Sequence, residues 1–422
     1  MSSLGTLTDW ACARAAANRS VSECGQCKFW TPPPLIDATS LPPPPSKPRT
    51  AWFMCLTQPR DAIAREHLAF ARAAIVSARL RAPSLAPHVI YITERPHPPR
   101  PDAFTGWLAA AGVRTLFHNL SFIRRIPSRR LRRGGAVSHL NVGTYCRIDV
   151  PAIVGRLAPE LRAQGIDTSA VLYTDTDVMF AGDWDYARTP VRNFAAGTET
   201  FSPALNCGVL WLNVSAFGAE VPRLLDYAEA KGFDFLTSDQ ALIQQWFAAR
   251  TPDWRQRKVA NRAAAPGWDE FADGLYNARA FWHPRRPRGG DALLEPRLWH
   301  WHGYKPSDVE CWVRAIEGGS WPARGWNDIK PNCRQGRCRW KPIMGSGCRY
   351  FGRIAMTPCY LRTYTYLLTQ HRRLLALADG VAGSEELLVD ERIEMDKVRG
   401  KLKKLQAEVR AAEAAGQVQS RR

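Results

Sequence analysis

Between residues 50 and 118, three short apolar runs alternate with two stretches of helical periodicity. The runs are TAWFMCLT (50–57), HVIYIT (88–93) and VRTLFH (113–118). Each has the length of a buried strand and is too short for a helix. DAIAREHLAFARAAIVSARL (61–80) places Asp61 at an N-cap position, and PDAFTGWLAAAG (101–112) has Pro101 early and Gly112 just past its end. Such punctuation belongs to helices. Successive strands joined by crossover helices pair in parallel, so the expected class is α/β with helices covering the sheet.

The alternation resumes after a break. GTYCRIDVPAIVGRLAPELRAQ (143–164) reads as a helical region interrupted at Pro151, VLYTDTDVMF (171–180) as a fourth strand and NCGVLWLNV (206–214) as another. SAFGAEVPRLLDYAEAKG (215–232) reads as a helix closed by Gly232, and TSDQALIQQWFAA (237–249) as one starting at Thr237 or Ser238 with Asp239 in its first turn. Residues 252–298 carry few periodic signals, and RLWHWHGYKP (297–306) reads as a last strand running into a loop.

The flanks differ in character. Residues 1–50 hold the tract TPPPLIDATSLPPPPSKPR, which predicts a disordered, extended spacer outside any packed core. Five of the 11 cysteines fall in Cys311, Cys333, Cys338, Cys348 and Cys359, so residues 313–380 read as a cysteine-rich extension. Disulfides, free thiols or a zinc site are the alternatives there, in that order of preference. Cys24-Gly-Gln-Cys27 lies in the proline-rich segment, away from any βαβ unit, and reads as a local disulfide at most. Residues 381–422 read as a polar terminal helix. Its Val398, Leu402, Leu405, Val409 and Ala412 form a short seam, suited to a homo-oligomer contact or to packing on the body.

The formal charge of +19, from 58 basic and 39 acidic residues, raises the question of nucleic acid. The arginines are scattered and no nucleic-acid-binding motif is present, so no nucleic-acid partner is expected. One cluster, SFIRRIPSRRLRRGG (121–135), reads as a solvated loop, with a clamp for an anionic acceptor or a membrane surface as the alternative. No apolar window approaches the roughly 18 residues of a membrane span, and no signal peptide is visible in the first 20 residues. The cysteines point instead toward a lumenal protein; the triplets at Asn18, Asn119 and Asn213, frequent by chance, add little.

The fourth run poses the functional question. Asp175 and Asp177 sit at the end of a segment that otherwise belongs in a core. Unpartnered buried carboxylates are costly, and two side by side repel. A divalent cation would resolve both problems; capping a nearby helix is the alternative. Ligands gather at the carboxyl ends of strands in open parallel sheets, which is where this pair falls. A second copy, Asp183-Trp184-Asp185, lies in a turn and lacks that context. WHWHGYKP adds His300 and His302 as candidate nitrogen ligands that would suit Mn²⁺ beside two carboxylates. Gly303 there would allow close backbone approach to an anion, and Lys305 could neutralise a phosphate.

Taken together, GTYCRIDVP, VLYTDTDVMF, LNCGVLWLN, SDQALIQ and HWHGYKP resemble, in order, the motifs of the family 8 glycosyltransferases over residues 51–312. The resemblance implies a GT-A (Rossmann-like) domain: a mixed, mostly parallel sheet flanked by helices, here followed by the cysteine-rich extension and the terminal helix. It implies transfer of a sugar, with retention of configuration, from a nucleotide donor, UDP-linked, to a glycan, glycoprotein or lipid acceptor; the cysteine pattern separately leads to the secretory pathway, a Golgi lumen, with the cytoplasm as the alternative. The resemblance also implies Mn²⁺ or Mg²⁺ on Asp175, Asp177 and His300. Donor contacts would come from Thr57, Arg147, Asp175, Asn206, Cys207, Gly208, Gly303 and Lys305, and catalytic assistance from Asp239, Gln240 and Lys305. The chain departs from the pattern at Lys305, one residue nearer Gly303 than usual, and at Ser307, where the family has tryptophan. A degenerate glycan-binding protein on the same fold is the alternative function.

Overall fold

The computed structural model describes residues 35–36, 38–40, 42–43, 49–57, 62–92, 101–127, 143–198, 205–235, 239–249, 267–271, 275–279, 296–301, 306, 329–334, 337–342 and 358–381. In chain order the elements begin β1 (Thr50–Thr57), α1 (Ala62–Arg81), β2 (Leu85–Ile92), α2 (Ala103–Ala110), β3 (Arg114–His118), a 3-10 turn (Tyr145–Ile148), α3 (Val150–Ala163), β4 (Asp167–Thr174) and β5 (Val178–Phe180). There follow β6 (Phe194–Thr198), β7 (Leu205–Asn213), α4 (Val214–Ala230), α5 (Asp239–Ala249), β8 (Asp269–Glu270), β9 (Ala278–Arg279), β10 (Leu298–His300), β11 (Ile329–Arg334), β12 (Arg337–Pro342) and α6 (Pro358–Asp379).

The main sheet has seven strands in the order β3-β2-β1-β4-β7-β6-β8. β3, β2, β1 and β4 run parallel, β7 is antiparallel to both β4 and β6, and β8 is parallel to β6. This is the mixed, mostly parallel sheet with flanking helices that the sequence leads one to expect. A smaller sheet, β5-β10-β9, stands beside it, and β11 and β12 form a hairpin that sets Cys333 opposite Cys338 in register. The terminal segment beyond 381, the cysteines at 12, 24, 27, 311 and 348, Asn18, Asp61 and the 128–142 part of the basic loop lie outside the described residues.

Alternation along β1 explains the two cores. Trp52, Met54 and Leu56 face α1, α2 and α6, while Ala51 and Phe53 face α3, α4 and α5. α2 is set by a capping box, Asp102 accepting from the Thr105 N–H while the Thr105 hydroxyl accepts from the Asp102 N–H. The chain leaves α2 through Gly112 at φ 69°.

The interruption expected at Pro151 is present: the 3-10 turn ends at Ile148 and α3 starts at Val150, with Pro151 in its first turn, where a missing N–H costs no intrahelical bond. Several elements differ from the sequence expectation. The run 171–180 is not one strand; it breaks at Asp175-Thr176-Asp177 into β4 and β5, which join different sheets. β6 falls in a stretch given no element. α6 likewise was not anticipated, and it docks on α1. There Arg72 pairs with Asp379, and the Trp107 indole N–H donates to the Ala378 carbonyl at 3.0 Å. Ile36, within the proline-rich segment, is buried rather than outside the core, and its N–H donates to Gln370 on α6 at 3.1 Å. A disulfide between Cys55 and Cys146 ties β1 to the 3-10 turn across 91 residues of sequence.

Trp107 is fully buried between the α1 and α6 faces, stacked on Phe104 and covered by the Arg72 guanidinium. Replacing it with alanine should cost about 3–5 kcal/mol, read as a lower midpoint in urea unfolding; a cost under about 1 kcal/mol would show that α6 does not dock there.

Candidate functional site

Asp175 follows β4 directly and Asp177 precedes β5 directly, so the bend between two sheets carries both carboxylates. Backbone bonds hold the bend: the Asp175 N–H donates to the Gly208 carbonyl and the Trp301 N–H to the Asp177 carbonyl, each at 2.8 Å. β10 pairs antiparallel with β5 and brings His300 opposite Val178. One ligand atom each from Asp175, Asp177 and His300 lies within 4.8 Å of the others, with His300 Nε2 3.5 Å from Asp177 Oδ1.

Gly208 explains how the imidazole fits. A Cβ built there would lie 2.1 Å from His300 Cε1, so the ring occupies the space that any other residue would fill. The site is thus closed by β7 on one side. His300 and Asp177 are buried, while the Asp175 side chain keeps 32% of its exposure and forms the open side.

Arg147, on the 3-10 turn, joins the metal candidates to α5. Its Nη2 is 2.9 Å from Asp175 and its Nε 2.8 Å from Asp239 at the start of α5. Nε–H also reaches the Thr144 carbonyl at 3.0 Å, Nη1 donates to the Cys207 carbonyl, and the Tyr173 ring lies 5.0 Å from the guanidinium carbon. Burial acts to lower the arginine pKa, but Asp175 and Asp239 outweigh it and hold the group above its ordinary range. Burial pushes the Asp239 carboxyl up to about 6, against the partial relief that Arg147 provides. Burial pushes the buried Cys207 thiol up as well.

Asp175 and Asp239 pair with the one guanidinium, and Asp177 stands beside Asp175 and His300. Two hard carboxylate ligands plus one imidazole fit a divalent ion such as Mn²⁺ or Mg²⁺.

The other residues singled out in the sequence fall as follows. Thr57 ends β1, and its hydroxyl lies against Gly143. Asn206 is buried, its Oδ1 accepting from the Gly208 N–H and from Asn277, each at 3.0 Å. Gln240 Oε1 accepts from the Cys207 N–H at 3.3 Å. His302, Gly303 and Lys305 lie outside the described residues. The second acidic pair is engaged elsewhere: Asp183 accepts from Ser84 and the Trp184 N–H, and Asp185 meets Tyr276 and Arg297. In the basic segment, Arg125 pairs with Asp226 and Glu229. Tyr173 and Asn277 were missed by sequence reasoning. Asn277 sits in a stretch without periodicity, and only its place just before the two-residue β9 marks it.

No protein-family model matches the chain, and no curated protein matches it in sequence. Among solved structures it is similar to galactosyltransferase LgtC in complex with donor and acceptor sugar analogs, at 15% identity, 65% of this chain, 97% of that one and a TM-score of 0.41. It is also similar to the apo form of glycosyltransferase GlyE of Streptococcus pneumoniae TIGR4, at 16% identity, 62% of this chain and a TM-score of 0.38; the chain spans 56% of GlyE. Mouse xyloside xylosyltransferase 1 is a third, at 12% identity, 60% of this chain, 98% of that one and a TM-score of 0.37.

Gly208→Ala should displace the His300 ring and weaken manganese binding at least about tenfold, measured by calorimetry; unchanged binding would mean that the ring is not held against β7. Asp239 gives a pH signature. Its folded pKa of about 6 lies above the ordinary aspartate value. The stability it contributes is therefore complete below about pH 4 and lost as pH rises through about 6. In chelator, the stability of wild type relative to Asp239→Asn should fall across that window in urea titrations.

Proposed function

We propose that the chain is a divalent-metal-dependent glycosyltransferase that takes a sugar from a nucleoside-diphosphate donor, UDP-linked, and passes it to a glycan, glycoprotein or lipid hydroxyl. The observation that carries this reading is the convergence of Asp175, Asp177 and His300 beside the Arg147–Asp239 pair. The family 8 motifs supply the donor class, the GT-A assignment and retention of configuration.

In the reaction, the bond between the anomeric carbon and the diphosphate oxygen breaks. The acceptor oxygen forms the new bond, and its proton leaves with the diphosphate. Asp175, Asp177 and His300 would hold the ion, which when bound supplies Lewis-acid charge for the departing diphosphate. Arg147 keeps Asp175 and Asp239 at fixed separation. Asp239 and Gln240, at the start of α5, would orient donor-sugar hydroxyls, and Lys305 would add a second positive charge at the phosphates. Thr57, at the end of a parallel strand, would meet the nucleoside. A lumenal, Golgi-type compartment accords with the Cys55–Cys146 disulfide.

UDP release from a panel of UDP-sugars should require Mn²⁺ or Mg²⁺, stop in EDTA, and fall about 100-fold or more in Asp177→Asn. Turnover that persists in EDTA, or that is the same in the variant, would refute the metal-dependent reading. Saturable glycan binding with no UDP release from any donor would mark a degenerate binding protein.

A further inference from the structure

We infer that Asn277 is the positioning residue that decides which nitrogen of His300 faces Asp177, and that its own orientation is dictated by the backbone N–H of Gly208. The inference rests on the metal reading of Asp175, Asp177 and His300.

The polarity can be followed group by group. A backbone N–H only donates. The Gly208 N–H meets Asn206 Oδ1 at 3.0 Å, which identifies that atom as the amide oxygen. Asn277 Nδ2 lies 3.0 Å from the same oxygen and must be the donor. The remaining end of the Asn277 amide is then its oxygen, and it lies 3.0 Å from His300 Nδ1. An amide oxygen accepts only, so Nδ1 carries hydrogen. In the neutral ring Nε2 then keeps its lone pair on the Asp177 side, where it lies 3.5 Å from Oδ1. That is the nitrogen a metal beside the two carboxylates would need, since a ligating imidazole commonly donates its other N–H to a fixed acceptor.

The fold makes room for the relay. Asn277 is buried just before β9, whose Arg279 and Ala278 pair with His300 and Trp299 on β10. A Cβ at Gly197, where β6 shifts register against β7, would lie 2.7 Å from Asn277 Nδ2. Gly197 and Gly208 thus admit the amide and the ring from opposite ends. Asn206, in this arrangement, spends its oxygen on the relay rather than on a donor sugar.

Two variants separate orientation from bulk stability. Asn277→Leu removes the acceptor for Nδ1–H; Asn277→Asp keeps it but loses the donor toward Asn206. Both should unfold at lower temperature in chelator. In calorimetry with manganese chloride alone, the leucine variant should bind about 10–100-fold more weakly than wild type, whereas the aspartate variant should stay within about threefold. Equal affinities of the two variants would overturn the inference. Long-range ¹H–¹⁵N spectra of histidine-labelled, metal-free protein at alkaline pH, assigned with His300→Gln, should show hydrogen on Nδ1 in wild type. Hydrogen on Nε2 would overturn the inference with no metal present. If wild type and Asp177→Asn both take up no manganese, the metal reading fails by itself, and the spectra still decide the role of Asn277.

Discussion

Arg147 keeps its charge in the interior at 2% exposure because a carboxylate stands within 3 Å on each side of it. Taking one partner from a buried ion pair leaves an uncompensated charge, which is far more costly than losing a surface pair. The bend after β4, the start of α5 and the carbonyl of Cys207 on β7 therefore have to arrive together around one guanidinium. Each belongs to a different part of the chain, and the turn that bears the arginine is itself fastened to β1 by Cys55–Cys146. The electrostatics of the site and the closure of the fold are one problem with one solution.

The same logic answers why two aspartates sit at the end of an apolar strand. They are not in it. The chain leaves the main sheet at Asp175 and enters the smaller one at Val178, so the carboxylates occupy the gap between sheets, flanked by Arg147 and His300. Behind them Trp301 packs near Tyr364 and His371 of α6, so α6 buttresses the strand that delivers the imidazole.

Much of this could be read from residue order. β1 coincides with its apolar run, and β2, β3 and β7 lie within a few residues of theirs; β1, β2 and β7 are buried almost throughout, which leaves near-continuous hydrophobic signatures. Asp175, Asp177 and His300 were nameable because charge and imidazole in such surroundings need a reason; Arg147 and the role of Asp239 came only from the resemblance to the family 8 motifs. β6 was not legible: its sequence Phe-Ala-Ala-Gly-Thr is strand only because β7 and β8 flank it. α6 does carry a helical period in Tyr364, Leu367, Leu368, His371 and Leu374, yet threonines and tyrosines dilute it and the neighbouring cysteines suggest a different architecture. Asn277 and the Cys55–Cys146 pair depend on contacts between distant segments, and nothing local announces them.

β7 runs against β4, and this reversal has a consequence for how such a chain can diversify. The beginning of β7, not its end, lies beside the acidic bend, so the segment that enters the strand can be lengthened or rewritten next to the chemistry. The exit, where Asn213 caps α4, lies at the other end of the strand, opposite Ala170 of β4 and away from the bend. Ligand selectivity would change by substitutions at the entrance and thermal robustness by substitutions at the exit, so the two traits can drift apart along a single strand.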